Sequence, residues 1–183
     1  IAGIAVGTVS LPVLSKAFKM KNVKKISNIQ NKSFELSLLF SIPASFGLIL
    51  ASNEIVNALF GYGSFSKNDV EMTATALKFF GYGVPAFALI KILSNFFFAR
   101  DNTKTPFYIS TLIVFLNISI SISFFSKIGF IIIPIATSLS TWIGVFIYIY
   151  LLNSKKILLL RNQLKINFIK IMISTIIMSS ILL

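Results

Sequence analysis

The sequence predicts an all-α fold, a polytopic bundle of transmembrane helices, and three observations lead there. Hydrophobic residues fill 56% of the 183 positions and charged residues only 12%, about half the charged share of an average soluble domain. Residues 105–126 and 128–154 carry no Asp, Glu, Lys or Arg, runs of 22 and 27 positions, and about 20 mostly apolar residues suffice for a helix to cross the hydrocarbon. The cations gather between such runs. A net charge of +12 suits nucleic-acid binding only when it covers one face of a soluble domain, so no nucleic-acid partner is expected. With no Cys and no His, thiolate chemistry, imidazole catalysis and the common zinc sites are excluded.

The elements follow in chain order. Residues 1–14 read as the end of a span, and 15–33 as a basic connection holding Lys16, Lys19, Lys21, Lys24, Lys25 and Lys32. A full span is expected over 34–52. The mixed stretch 53–72 contains Ile55, Val56, Leu59 and Phe60 at helical spacing, which predicts a short interfacial helix, followed by a Gly61-Tyr62-Gly63 turn. Ser66 and Asp69 have the spacing of a capping box and would start the helix that feeds the span 73–98. A polar turn over 99–106 ends at Pro106, which suits a first helical turn. Spans at 107–125 and 130–152 enclose a short turn at 126–129. A second basic connection, 153–167, leads into the start of a last span at 168–183. Because the sequence starts at Ile1 and stops inside an apolar run, it is expected to be a segment of a longer protein.

Charge fixes the orientation. The first, third and fifth connections lie on one side and carry six, two and four Lys or Arg, whereas the opposite loops hold only Lys67 and Lys127. The positive-inside rule makes the basic side cytoplasmic.

Few residues can carry chemistry. No span holds a pair of carboxylates, so no enzymatic acid/base activity and no cofactor are expected. Lys91 lies deep in an apolar helix with Asn95 one turn on; the ammonium either snorkels to the cytoplasmic interface or faces a polar cavity. Asn117 and Ser121 share a helix face and Thr137 can meet them from the next helix. Their oxygens serve either interhelical hydrogen bonds or a hard cation such as sodium. Pro43, Pro85 and Pro134 interrupt three spans, Gly81-x-Gly83 precedes the second, and such breaks suit a protein that changes shape. Gly3-x-x-x-Gly7 permits close helix contact.

Three blocks resemble a known family. Gly7-Thr8-Val9-Ser10-Leu11-Pro12-Val13-Leu14-Ser15-Lys16-Ala17-Phe18 is similar to the G-T-x-x-L-P-x-L-S-x-x-F stretch of the MurJ/MviN family of lipid II flippases. Ala58-Leu59-Phe60-Gly61-Tyr62-Gly63-Ser64-Phe65 resembles its L-F-x-x-G-x-F outer loop. Gly83-Val84-Pro85-Ala86-Phe87-Ala88-Leu89-Ile90-Lys91, continued by Phe98-Ala99-Arg100-Asp101-Asn102-Thr103-Lys104-Thr105-Pro106, resembles G-x-P-A-F-A-L-x-K and F-Y-A-R-x-D-T-K-T-P, with Asn102 standing before the Thr where the pattern has Asp. The resemblance covers about residues 1–165.

The resemblance implies more than composition does. Family members have 14 transmembrane helices, and this chain would supply part of the second lobe: the end of helix eight, all of nine to twelve and the start of thirteen. They carry the lipid-linked precursor of peptidoglycan, lipid II, from the inner to the outer leaflet of the bacterial inner membrane by alternating access, which supports cell-wall biogenesis and cell shape. The principal pyrophosphate-holding arginines would lie before Ile1. Lys91, Asn95 and Arg100 are then the local candidates for the substrate pathway. Asn117, Ser121 and Thr137 are those for a sodium site that some relatives have, and Pro43, Pro85 and Pro134 those for hinges. Expected partners are lipid II and membrane lipids. Two alternatives stay open: an exporter of another lipid-linked oligosaccharide or a drug-like cation in the same superfamily, and a non-transporting scaffold for cell-wall assembly.

Overall fold

The computed structural model describes residues 2–182, with side-chain surroundings from residue 5 onward, so the expectation for Gly3 lies outside the described residues. Seven helices follow one another: α1 (Ala2–Lys19), α2 (Val23–Leu50), α3 (Ser52–Phe60), α4 (Lys67–Phe98), α5 (Lys104–Ile128), α6 (Ile132–Ser154) and α7 (Asn162–Leu182). Four stretches are long and apolar enough to cross a membrane, Val23–Leu50, Lys67–Phe98, Lys104–Ser154 and Asn162–Leu182. The third is the hairpin of α5 and α6, folded back at Gly129, whose φ of 72° and ψ of −154° belong to a region open essentially to glycine.

Two helices run beyond the expected spans. α2 has 28 residues and α4 has 32, about 42 and 48 Å at 1.5 Å per residue against a hydrocarbon core of about 30 Å. The first basic connection is therefore mostly helix, entered through Asn22, whose side chain accepts from the Lys25 N–H. At the other side α4 begins at the expected capping box. Ser66 Oγ accepts from the Asp69 N–H at 3.2 Å and Asp69 Oδ2 accepts from the Ser66 N–H at 2.9 Å. The short outer helix also forms: α3 buries Val56 against Val70 and Ala74 of α4 and leaves Leu59 and Phe60 about half exposed.

Three helix ends in the basic connections share one geometry. Lys21, Asp101 and Lys156 are the non-glycine residues with positive φ, at 51°, 57° and 52°. Beyond each, an N–H reaches back five residues, Asn22 to Ala17, Asn102 to Phe97 and Ile157 to Leu152, at 2.8–3.2 Å. This is the Schellman closure, in which a left-handed residue lets the chain turn and satisfy end carbonyls. It stops α1, α4 and α6 where their apolar periodicity gives way to charge.

α4 is the axis, packing on α1, α2, α3 and α6. Phe96 meets Phe34 of α2 edge-on at 5.7 Å and Phe97 meets Tyr148 of α6 at 5.9 Å. Pro85 sits inside α4 and Pro43 inside α2, interrupting the two spans as expected. Pro134 does not interrupt a span. It is the third residue of α6, in the first turn, where a missing N–H breaks no helical bond, so its assignment as a mid-span break is corrected. α7 packs on α2 alone among the described elements.

Candidate functional site

Proline 85 opens the ladder of α4, and neighbouring helices close it. Without an N–H at position 85 the Gly81 carbonyl has no helical donor. Ser45 of α2 donates to it at 2.7 Å. From α6, Ser138 donates to the Phe79 carbonyl at 2.7 Å and Trp142 Nε1 to the Tyr82 carbonyl at 3.0 Å. The two glycines make this approach feasible: a Cβ at position 81 would lie 2.9 Å from Ile49 Cγ1, and one at position 83 only 2.6 Å from Ser138 Oγ. The break in α4 is thus gripped from both flanks by side chains that donate to backbone oxygen. No sequence signal marked Ser45, Ser138 or Trp142 beforehand, because their partners are remote carbonyls.

One turn and a half beyond Pro85, α4 floors a groove of about 780 Å³ bounded by Ser41 of α2, Ser110 of α5 and Tyr148 of α6. Lys91 lies in it and is exposed. Its stem runs along α1, since a Cβ on Gly7 would meet Lys91 Cγ at 3.0 Å. The hydroxyl of Ser41 is buried there without a hydrogen-bond partner among the described residues, and the buried Tyr148 hydroxyl faces Ser110. The groove is thus apolar-walled with one cation and a few hydroxyls, those of Ser41, Ser94, Ser110 and Tyr148 among them. It can accept an amphiphile with an anionic or hydrogen-bonding group.

Of the three residues assigned to the pathway, Lys91 and Asn95 both lie against Gly7 of α1, and Lys91 alone of the three lines the groove. Asn95 shares the Gly7 face with the Lys91 stem but is 1% exposed, and its amide donates to the Gly7 carbonyl at 2.7 Å, which ties α4 to α1. Arg100 lies in the turn after α4 with its guanidinium 4.9 Å over the Phe18 ring, beside a separate cleft shared with Lys21 and Lys156.

The polar trio of the hairpin divides as well. Asn117 Nδ2 donates to Thr137 Oγ1 at 2.8 Å, and Thr137 Oγ1 donates to the Ile133 carbonyl at 2.7 Å. Ser121, one turn along α5 from Asn117, buries its hydroxyl without a partner. As drawn, this is interhelical hydrogen bonding. The donor chemistry also fits a hard cation: Asn117 Oδ1, Thr137 Oγ1, the Ile133 carbonyl and the orphaned Ser121 hydroxyl are oxygens, and rotating the Asn117 amide by half a turn exchanges its NH2 for oxygen. No cluster of three acidic or metal-ligating side chains occurs among the described residues, so the residues present supply oxygens but no charge.

Helices long enough to span, cations concentrated in the connections between them and a gripped break beside an apolar-walled groove together define a multi-pass helical membrane protein. The chain belongs to the MurJ family, whose model, described as lipid II flippase MurJ, matches residues 1–183. It is 36% identical over 144 residues to a probable lipid II flippase MurJ of Rhizobium tropici, covering 79% of this chain and 27% of that protein. It is 34% identical over 166 residues to lipid II flippase MurJ of Thermosipho africanus, covering 90% and 34%. A solved lipid II flippase MurJ in an inward closed conformation superposes with a TM-score of 0.81 at 31% identity, over 99% of this chain and 36% of that one. The chain thus spans about a third of the length of these relatives.

Proposed function

We propose that the chain forms part of the second lobe of a transporter that flips lipid II from the inner to the outer leaflet of the bacterial inner membrane by alternating access. It acts without enzymatic chemistry and serves peptidoglycan synthesis. The observation that carries this reading is the family match over every residue, joined to the 0.81 superposition on a flippase. Within it, Lys91 offers an ammonium to an anionic part of the substrate from the groove on α4, and Asn95 holds the helix that presents it. Arg100 meets lipid phosphate at the cytoplasmic surface. Pro43 and Pro85 are the points where α2 and α4 bend. The test is complementation: the full-length protein, expressed in cells depleted of their own lipid II flippase, restores growth and rod shape. Continued lysis despite normal membrane insertion would overturn the reading.

We propose further that Asn117, Ser121 and Thr137 hold a sodium ion together with the Ile133 carbonyl, with a carboxylate from elsewhere in the protein supplying charge. The Thr137→Val substitution keeps the shape and deletes one oxygen, so more sodium is needed to reach the same transport rate. An unchanged sodium dependence with normal expression leaves these residues as helix-packing groups.

A further inference from the structure

The connection between α6 and α7 is held by side chains that imitate a β-strand. After the Schellman turn at Lys156, residues 157–161 are not helical, yet their backbone groups are not left to solvent. Gln30 of α2 is fully buried, at 0% exposure. Its Nε2 donates to the Ile157 carbonyl at 3.1 Å, and its Oε1 accepts from the Leu159 N–H at 3.0 Å. Asn31 continues the pattern: its Nδ2 donates to the Leu159 carbonyl at 2.8 Å and its Oδ1 accepts from the Arg161 N–H at 2.9 Å. Ser27 adds a second donor to the Leu159 carbonyl at 2.9 Å.

Residues 157, 159 and 161 are alternate positions, so these are the groups that one edge of an extended strand presents to a neighbouring strand. Two consecutive side-chain amides supply the donor and acceptor pairs such a neighbour would supply. Both ends of the strap are secured as well. Ile157 is 4% exposed in the main core, and Arg161 Nη1 donates to Asn28 Oδ1 at 2.6 Å.

The helix that follows depends on this strap. α7 touches α2 alone, and of its 21 residues it buries Ile171, Thr175 and Ser179, of which only Ile171 is a large apolar side chain. Thr175 and Ser179 spend their hydroxyls on carbonyls of their own helix. Between the bodies of α2 and α7 the side-chain hydrogen bond is Asn167 Nδ2 to Glu35 Oε1, 2.9 Å. In a bilayer, apolar faces gain little by leaving lipid for each other, so the polar strap is what fixes α7 laterally.

We propose that Gln30 and Asn31 are positioning residues that clamp the 157–161 strap onto α2 as a strand edge, so that α7 moves with α2 as one body. The clamp stands on geometry alone. Its service to alternating access rests on the transport reading above.

The test uses the full-length protein in lipid nanodiscs. Hydrogen exchange is followed at Leu159 and Arg161, with spin labels on exposed positions of α2 and α7, Leu39 and Ile177, introduced as cysteines into a chain segment that has none of its own. Gln30→Leu accelerates exchange at Leu159, and Asn31→Ala accelerates it at Arg161, each about two- to tenfold, the range for one lost hydrogen bond. The double variant replaces the single narrow label distance with a broad one, and Lys32→Ala, between the same helices but outside the clamp, changes neither. Asn31 is only half-buried, so its variant reports even where Gln30→Leu fails to insert. Wild-type exchange rates at both amides, or a label distance that stays narrow in the double variant, would overturn the clamp. Loss of α7 order with unaltered lipid II flipping would overturn only its role in transport.

Discussion

Lys91 carries a positive charge into the most apolar part of α4, and its surroundings set up a direct choice between two roles. The side chain is exposed in the groove and its stem follows α1 past Gly7. A snorkelling ammonium needs only length and polarity at its tip, so Lys91→Arg and Lys91→Gln would both transport. A groove-facing ammonium is needed for its charge. Transport assays of the full-length variants are expected to show Arg active and Gln inactive at equal expression, and equal activity of the two would remove Lys91 from the pathway. Glycine 83 is a second residue whose role is steric. A Cβ there would lie 2.6 Å from Ser138 Oγ and 2.9 Å from the Phe87 ring, displacing the hydroxyl that serves the Phe79 carbonyl. Gly83→Ala should therefore destabilise the bundle by about 1–3 kcal/mol, the usual cost of overpacking. Gly47→Ala, with nothing within 4 Å of its Cβ, should stabilise by about 0.5–1 kcal/mol through helix propensity. Unfolding in mixed micelles compares the two, and effects of the same sign would show that packing at Gly83 is not tight.

Among the elements, the N-terminal end of α4 offers a titratable handle outside the span. The Ser66 hydroxyl and N–H hold the Asp69 carboxyl below its usual 3.8. A carboxylate with a depressed folded pKa stabilises above its unfolded value and loses that contribution as pH falls through the folded one. The first turn of α4 should therefore stay capped at neutral pH and fray only under acid, below about pH 3.8. Protection of the Ser66 amide, corrected for intrinsic exchange, is the measurement, and Asp69→Asn should abolish its pH dependence. Protection that remains constant in wild type down to about pH 2 would contradict the capping box as the source. The capping box could be read from S-x-x-D because both partners lie within one turn. The extension of α2 back to Val23 could not. Its basic residues look like a loop by charge, but a helix leaving the bilayer keeps its backbone bonded internally and only its side chains meet water.

At the scale of the whole molecule, sidedness ties every span together. Cysteines placed at Lys24, Asn102 or Asn162 should resist impermeant thiol reagents added to intact cells, while those at Ser64 or Lys127 should react. Labelling at Lys24 from outside would invert the topology and, with it, the leaflet from which the Lys91 groove opens.

The order of the helices, the α5–α6 hairpin and the pairing of Asn117 with Thr137 were within reach of the sequence. Each depends on hydropathy, charge or spacing over a few turns, and a tight hairpin at Gly129 leaves two antiparallel helices little choice of register. Tertiary structure decided the rest. It buried Asn95 on the Gly7 carbonyl while leaving Lys91 in the groove, placed Arg100 on Phe18, closed the break at Pro85 with Ser45 and Ser138, and bound Gln30 to a strap 127 positions away. These outcomes depend on how far each helix is rotated about its own axis. An apolar stripe fixes that rotation for a helix in water, but here lipid and protein are equally apolar, and the faint polar groups on each helix settle it only when all the helices meet.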